Sequence, residues 1–419
     1  MTRRSHSRIS ILLAAAAAIL SYALIWFWFK PMVFCATKSD FSCFYRAGRM
    51  VIAGDGARVY DLAAQRDYDR RLGTSFVDGQ GRQFSLPFVF PPYALALFAP
   101  LSRLPYRSAE FVWYVLNAGM LLALPFVLRR SLASSDKTIA TQLFAPVLFV
   151  PAVLALMQGQ TSILLLLLFA MAFAALDEGN DTLAGFLLAF ALLKPQLMLA
   201  PLVALVTWRR WRTLTAFFWT SIALAGVSVA IVSWSAAWHY PHAVIEFNRM
   251  AGAFGGEHPE SMPNLRGLIY ILLHRSVSEA ALARITIALS IVPLVPPALL
   301  LRRRSSTVFE AGYSLVMVVS LLVSYHAYLH DTSLLLLPFF LIGGQMSRGR
   351  WAAHSAATAS VIVSLYVIPL LPASLSATAM QMCPAMLAFT MLLCLELTEA
   401  RRRGLISTGI RGRLLVGDC

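Results

Sequence analysis

Apolar runs of about twenty residues recur along this chain, and each, wound as a helix, is long enough to cross roughly 30 Å of hydrocarbon. Ile9 to Phe29, Glu110 to Leu128, Thr138 to Met157, Leu214 to Trp234, Leu282 to Leu301 and Ala377 to Leu397 are such runs. Lipid offers no partner to backbone N–H and C=O groups, so runs of this kind fold as helices or closed barrels. None alternates with period two, which argues against a barrel. Only 13% of the 419 residues are charged, about half the share usual in water-soluble domains. A soluble enzyme, a secreted disulfide scaffold and a disordered chain are therefore excluded. The expectation is an all-α polytopic membrane protein, one integral-membrane domain over residues 1–419.

The net charge of +15 would fit a nucleic-acid partner if the basic residues formed one surface. They instead cluster between apolar runs, as in Arg129-Arg130, Arg209-Arg210, Arg302-Arg303-Arg304 and Arg401-Arg402-Arg403. That is the positive-inside pattern of a membrane protein, and no nucleic acid is implied. The run Ile9 to Phe29 is long for a signal peptide, so it reads as an uncleaved first span that starts in the cytoplasm. From that start the clusters stay inside only if Leu183 to Trp208 breaks at Lys194-Pro195-Gln196 into two short limbs that dip in and return. The count is then about twelve transmembrane or re-entrant elements. Two larger loops, 30–108 and 235–281, lie outside, and the tail 398–419 lies inside. Pro91-Pro92-Tyr93 opens an interfacial or re-entrant piece running to Leu101. The basic residues of the first external loop suit anionic membrane lipids or phosphates. Of the five cysteines only Cys35 and Cys43 share a polar loop, and no disulfide framework, cysteine metal site or nucleotide-binding motif is present.

This topology gathers most of the conspicuous polar residues near apolar runs on the outer side: Asp40, Gln158, Gln160, Lys194, Gln196, Asn264, Arg266, His326, His330 and Asp331. Ionisable groups close to lipid are costly and default to functional candidates. A partly desolvated Asp40 has the proton affinity of a general base; the plainer readings are a helix N-cap or an ion pair with Arg46. Lys194, in an apolar context, suits a phosphate or the interface. His326 and His330, four apart, suit a shared helical face with phosphate or acceptor contacts, zinc, or ordinary packing. No third zinc ligand stands out, and no metal or cofactor is assigned. Asp55, Asp61, Asp67 and Asp69 read as solvated loop carboxylates. A transporter with a broken helix would present a similar set.

Asp40 and its surroundings, Tyr60-Asp61, Phe90-Pro91-Pro92-Tyr93, Phe98-Ala99-Pro100-Leu101, Gln158-Gly159-Gln160 and Leu193-Lys194-Pro195-Gln196 together resemble glycosyltransferase family 87, polytopic enzymes of the GT-C class. The family includes polyprenol-phosphate-mannose-dependent α-mannosyltransferases and arabinofuranosyltransferases. The resemblance implies a GT-C-like bundle in a bacterial inner membrane with a periplasmic active site. It also implies a lipid-linked sugar donor, a cell-envelope glycan or glycolipid acceptor, and Asp40 as catalytic base. By side and polarity, Lys194, Arg266 and His326 are then expected at the donor phosphate, and Gln158, Gln160, Gln196, Asn264, His330 and Asp331 at sugar or acceptor.

Overall fold

Helices form where the apolar runs lie. The computed structural model describes residues 2–33, 39–77, 83–130, 136–249, 258–300, 306–349, 351, 354–371 and 374–402; Cys35 and most of the tail lie outside these. In chain order the helices are α1 (Thr2–Leu24), prolonged by a π-helical turn (Ile25–Phe29) and a last α-helical turn (Lys30–Val33), α2 (Phe41–Ile52), α3 (Leu62–Leu72), α4 (Leu95–Leu101), α5 (Tyr106–Leu128) and α6 (Asp136–Leu148). There follow α7 (Val150–Gln158), α8 (Ser162–Asp177), α9 (Asp181–Phe190), α10 (Leu199–Thr207), α11 (Trp211–Val232) and α12 (Trp234–Arg249). The last six are α13 (Leu265–Leu273), α14 (Glu279–Leu300), α15 (Ser306–Val323), α16 (Leu336–Ser347), α17 (Ser355–Val367) and α18 (Leu375–Arg402). Among the described residues the only strands are a two-residue antiparallel pair, Phe76–Val77 with Gln83–Phe84.

Five helices are long and apolar enough to cross a membrane, or six if the pair α6–α7, bent by 65°, is one span. Pro146 inside α6 and Pro151 at the start of α7 remove backbone donors on either side of that bend. Five further apolar helices are shorter, Ser162–Asp177 and Val308–Val323 among them, so the protein is an integral-membrane helical bundle.

The stretch Asp181 to Thr207 is broken where the sequence requires. Proline pushes the residue before it out of the helical region, and Lys194 has φ −127° and ψ 84°. Arg210, after α10, ion-pairs with Asp181, at the start of α9, at 2.7 Å. The two limbs therefore begin and end at one end of the bundle, and Lys194 sits at the bend. α9 lies hard against α11: a Cβ on Gly185 would stand 2.2 Å from the Thr213 carbonyl oxygen, so only glycine fits.

The described residues of 30–108 and 235–281 include the helices α2, α3, α4, α12 and α13. In the first, Arg46 of α2 is fully buried and ion-pairs with Asp69 of α3. Its other amino group donates to Gln65 Oε1 and to the Leu86 carbonyl, each at 2.6 Å. Asp69 is thus a structural counter-ion, correcting its reading as a solvated carboxylate. The cause is a buried guanidinium that must be neutralised. Asp61 is exposed, as expected, and also caps α3 through Ala63 and Ala64 N–H. Phe44 stacks on Phe98 with ring centroids 4.4 Å apart, and Phe98 meets Trp113 edge-on at 5.1 Å. This aromatic column fastens α2 and α4 to α5 and fixes where α2 begins. In the second segment, α12 and α13 flank residues 250–257, which lie outside the described set.

Candidate active site

Asp40 occupies the N-cap position of α2, yet its side chain makes no capping hydrogen bond. Its Oδ2 accepts instead from Gln160 Nε2 at 2.6 Å. Arg46 is engaged with Asp69, so neither the cap nor the Arg46 ion pair describes Asp40. The preceding Ser39 is buried and donates to Glu110, which also ion-pairs with Lys30 at 2.7 Å. These bonds pin the approach to α2.

Gln160 reaches Asp40 because of the turn between α7 and α8. Gly159 ends α7 with φ +68°, a left-handed conformation that glycine adopts without strain, and a Cβ there would lie 2.8 Å from Phe41 Cβ. Trp113 Nε1 donates to the Gly159 carbonyl at 2.8 Å. The turn is thereby pressed onto the first residue of α2, and Gln160 emerges beside Asp40. Three of its oxygens, Gln158 Oε1, Gln160 Oε1 and Thr161 Oγ1, are buried without a hydrogen-bond partner among the described residues. They leave hydrogen-bonding capacity for a ligand.

Ser162, the first residue of α8, links this turn to a buried ion pair. Its hydroxyl donates to Asp331 Oδ1 at 2.6 Å, and Lys194 Nζ donates to the same carboxylate oxygen. Lys194 Nζ also approaches Ser162 Oγ at 3.4 Å. Asp331 lies in a 3₁₀ segment (Leu329–Leu335) and accepts the Tyr328 N–H on Oδ2 at 3.1 Å. The side chains of Lys194 and Asp331 are 5% and 1% exposed, so each supplies the charge that allows the other to be buried. His330 Nε2 stands 3.5 Å from Asp331 Oδ2.

Asp40, Lys194, Asp331 and His330 share one electrostatic environment. Burial pushes the Asp40 carboxyl above its ordinary 3.8; the Gln160 hydrogen bond and the Lys194 charge oppose that only in part, and the Asp331 charge adds to it. For Asp331 burial also acts upward, but the Lys194 ammonium with its hydrogen bonds outweighs it and holds the group below the usual carboxylate range. Burial lowers the His330 imidazole to about 3, so it is neutral near pH 7. One carboxyl with raised proton affinity thus lies within electrostatic reach of a carboxylate held ionised.

The remaining expected residues are held by backbone carbonyls close to this group. Gln196 Nε2 donates to the His326 carbonyl at 3.1 Å. Asn264 caps α13 through Gly267 N–H at 3.0 Å and donates to the Ser324 carbonyl at 2.8 Å. Arg266 donates to the Tyr325 carbonyl at 2.8 Å and lies over the Tyr325 ring at 3.8 Å. The His326 ring meets Phe247 and Tyr328 with centroids 5.8 and 4.9 Å away. His326 and His330 do not share an α-helical face, because α15 ends at Val323 and the chain is irregular before the 3₁₀ segment. Their i, i+4 spacing therefore carries no zinc geometry. Among the described residues no three metal-ligating side chains converge here. Ser162 and Tyr328 are the members that the sequence did not single out. A serine opening an apolar run carries no signal of its own.

The fold and this site define an integral-membrane protein with a desolvated acid beside an ammonium and several amides at one end of its bundle. The model of glycosyltransferase family 87 matches residues 88–324, more than half of the chain. The chain belongs to that family and is a glycosyltransferase. The matched stretch contains Gln158, Gln160, Lys194, Gln196, Asn264 and Arg266; Asp40, His326, His330 and Asp331 flank it and join it through the contacts above. No curated protein and no solved structure matches the chain.

Proposed function

We propose that the protein transfers mannose from a polyprenyl-phosphate donor to a cell-envelope glycan or glycolipid at the periplasmic face of a bacterial inner membrane. Asp40 acts as general base in a single inverting displacement. Its carboxylate takes the proton of an acceptor hydroxyl while that oxygen bonds to the anomeric carbon. The bond from that carbon to the phosphate oxygen breaks, and its electron pair leaves with polyprenyl phosphate. Lys194 divides its three N–H donors among Asp331, Ser162 and the departing phosphate, stabilising charge as it develops. Arg266 and His326 lie beside the same group as further phosphate contacts. The unpartnered oxygens of the 158–161 turn accept from sugar hydroxyls. Asn264 serves by holding the 324–326 backbone in place.

The observation that carries this reading is the Asp40 carboxyl: its proton affinity is raised by burial, its aim is fixed by Gln160, and it lies within electrostatic reach of Lys194. A base must be desolvated enough to want the proton and positioned to receive it. The test uses purified protein with polyprenyl-phospho-mannose and a glycolipid acceptor. Transfer is expected to fall roughly 10²–10⁴-fold in Asp40→Asn, the usual contribution of a general base, while thermal stability is kept. Full turnover by Asp40→Asn, or movement of substrate without a new glycosidic bond, would overturn it.

A further inference from the structure

Helix α12 carries a surface that the candidate site does not use. The preceding α11 (Trp211–Val232) is one of the helices long and apolar enough to cross a membrane. It ends at Ser233, whose φ of +90° is uncommon for a residue with a side chain, and α12 starts at the next residue. At about 100° per residue, α12 divides into three stripes, each about 60° wide. Ala236, Tyr240, Ala243 and Phe247 form the first, which faces protein. The two alanines are buried, the Tyr240 ring stands 5.8 Å from that of Tyr60, and the Phe247 ring 5.8 Å from that of His326. Trp234, Trp238, Pro241 and Ile245 form the second; all four are exposed, the tryptophans by 68% and 76%. The two indoles stack with ring centroids 6.0 Å apart. Ser235, His239, His242 and Glu246 form the third, also exposed, with His242 Nε2 3.2 Å from Glu246 Oε1.

We propose that α12 is an interfacial helix, lying along the membrane surface with Trp234, Trp238, Pro241 and Ile245 sunk among lipid headgroups and the tops of the acyl chains. Continuity argues for lipid as the occupant of that stripe. The helix starts one residue beyond a membrane span, so its first turn sits where hydrocarbon gives way to headgroups. Tryptophan favours that layer, because its ring is apolar and its N–H polar. A helix inside the hydrocarbon would carry two histidines and a glutamate into lipid at high cost. A helix clear of the membrane would leave two indoles, a proline and an isoleucine together in water. Only the boundary suits both exposed stripes at once. The first stripe meets Tyr60 and His326 from the other side, so the seat of α12 ties the depth of the candidate site to the headgroup layer. The inference depends on α11 being a span and not on which sugar is transferred.

The test is nitroxide spin labelling of the full-length protein in vesicles of phosphatidylethanolamine and phosphatidylglycerol. Cys35, Cys394 and Cys419 are replaced by serine, Cys43 and Cys383 being buried, and a single label is attached at Ile245→Cys or at His242→Cys. Collisions with oxygen, which concentrates in lipid, are compared with collisions with a neutral nickel chelate, which stays in water. With the apolar stripe about 5–10 Å into the boundary, the ratio of oxygen to nickel accessibility should be at least about 3-fold higher at 245 than at 242. Trp238→Cys puts the label on the same stripe and should give the same result if the 245 variant folds poorly. Equal ratios at the two positions, from a helix clear of the membrane or one sunk through it, would overturn the proposal. So would a label at 245 shielded from both reagents with spin–spin broadening, the mark of a second copy of the chain seated on the stripe.

Discussion

Replacing Asp331 by Asn leaves the Lys194 ammonium in place, 5% exposed, without its counter-charge. At an effective dielectric of about 20, unit charges roughly 3 Å apart attract by about 5 kcal/mol. The intact pair returns most of that as desolvation, but the single variant loses the attraction and keeps the desolvation of lysine. Asp331→Asn should therefore destabilise the protein by about 3–5 kcal/mol, the range for breaking a buried pair from one side. Lys194→Met should cost less, because an unpaired Asp331 can take up a proton. The double variant Lys194→Met with Asp331→Asn removes both charges and should return to within about 2 kcal/mol of the parent. Unfolding of the four proteins in detergent, followed by tryptophan fluorescence against denaturant, gives the coupling energy, expected to exceed about 2 kcal/mol. Additivity of the single variants within about 0.5 kcal/mol would refute the burial argument. The double variant also separates structure from chemistry: if Lys194 contacts the leaving phosphate, it should fold and yet fail to transfer sugar.

Asp40, with its proton affinity raised on folding, should make the transfer rate climb with pH through a value above the ordinary carboxylate 3.8. The folded state holds that proton more tightly than the unfolded one, so the same group's contribution to stability is present below the unfolded value and lost as pH rises through the folded one; Asp40→Asn should abolish both dependences. Gly159→Ala forces a side chain into a left-handed turn and against Phe41. It should cost about 1–2 kcal/mol of stability and reduce transfer by displacing Gln160, as measured by unfolding and a sugar-transfer assay. Asp69→Asn strands the fully buried Arg46 and should lower stability by about 3–5 kcal/mol, visible as a large loss of folded protein on heating.

The spans were legible because length and apolarity alone determine them: Ile9–Phe29 coincides in sequence and structure. So was the break at Lys194-Pro195, since an absent N–H and a restricted preceding residue are local properties. Helix α2 was legible as far as the N-cap position at Asp40, and Phe44 on Phe98 holds it in place; α12 and α13 read as loop because residues 235–281 are rich in glycine, histidine and proline. Of the site, the charged members stood out in their apolar context. Their pairing did not, because Lys194 meets Asp331 across 137 residues and Gln160 meets Asp40 across 120. Ser162 became visible only once its hydroxyl lay between the two.

The ion pair between Asp181 and Arg210 has a topological corollary. A segment that enters and leaves by the same face leaves the parity of membrane crossings unchanged. Compartment reporters fused in the 178–180 turn and after Arg210 should therefore give the same signal, whatever the chain does elsewhere. Insertions or deletions confined to the pair can alter how deep its tip reaches while leaving the sidedness of every later span as it was.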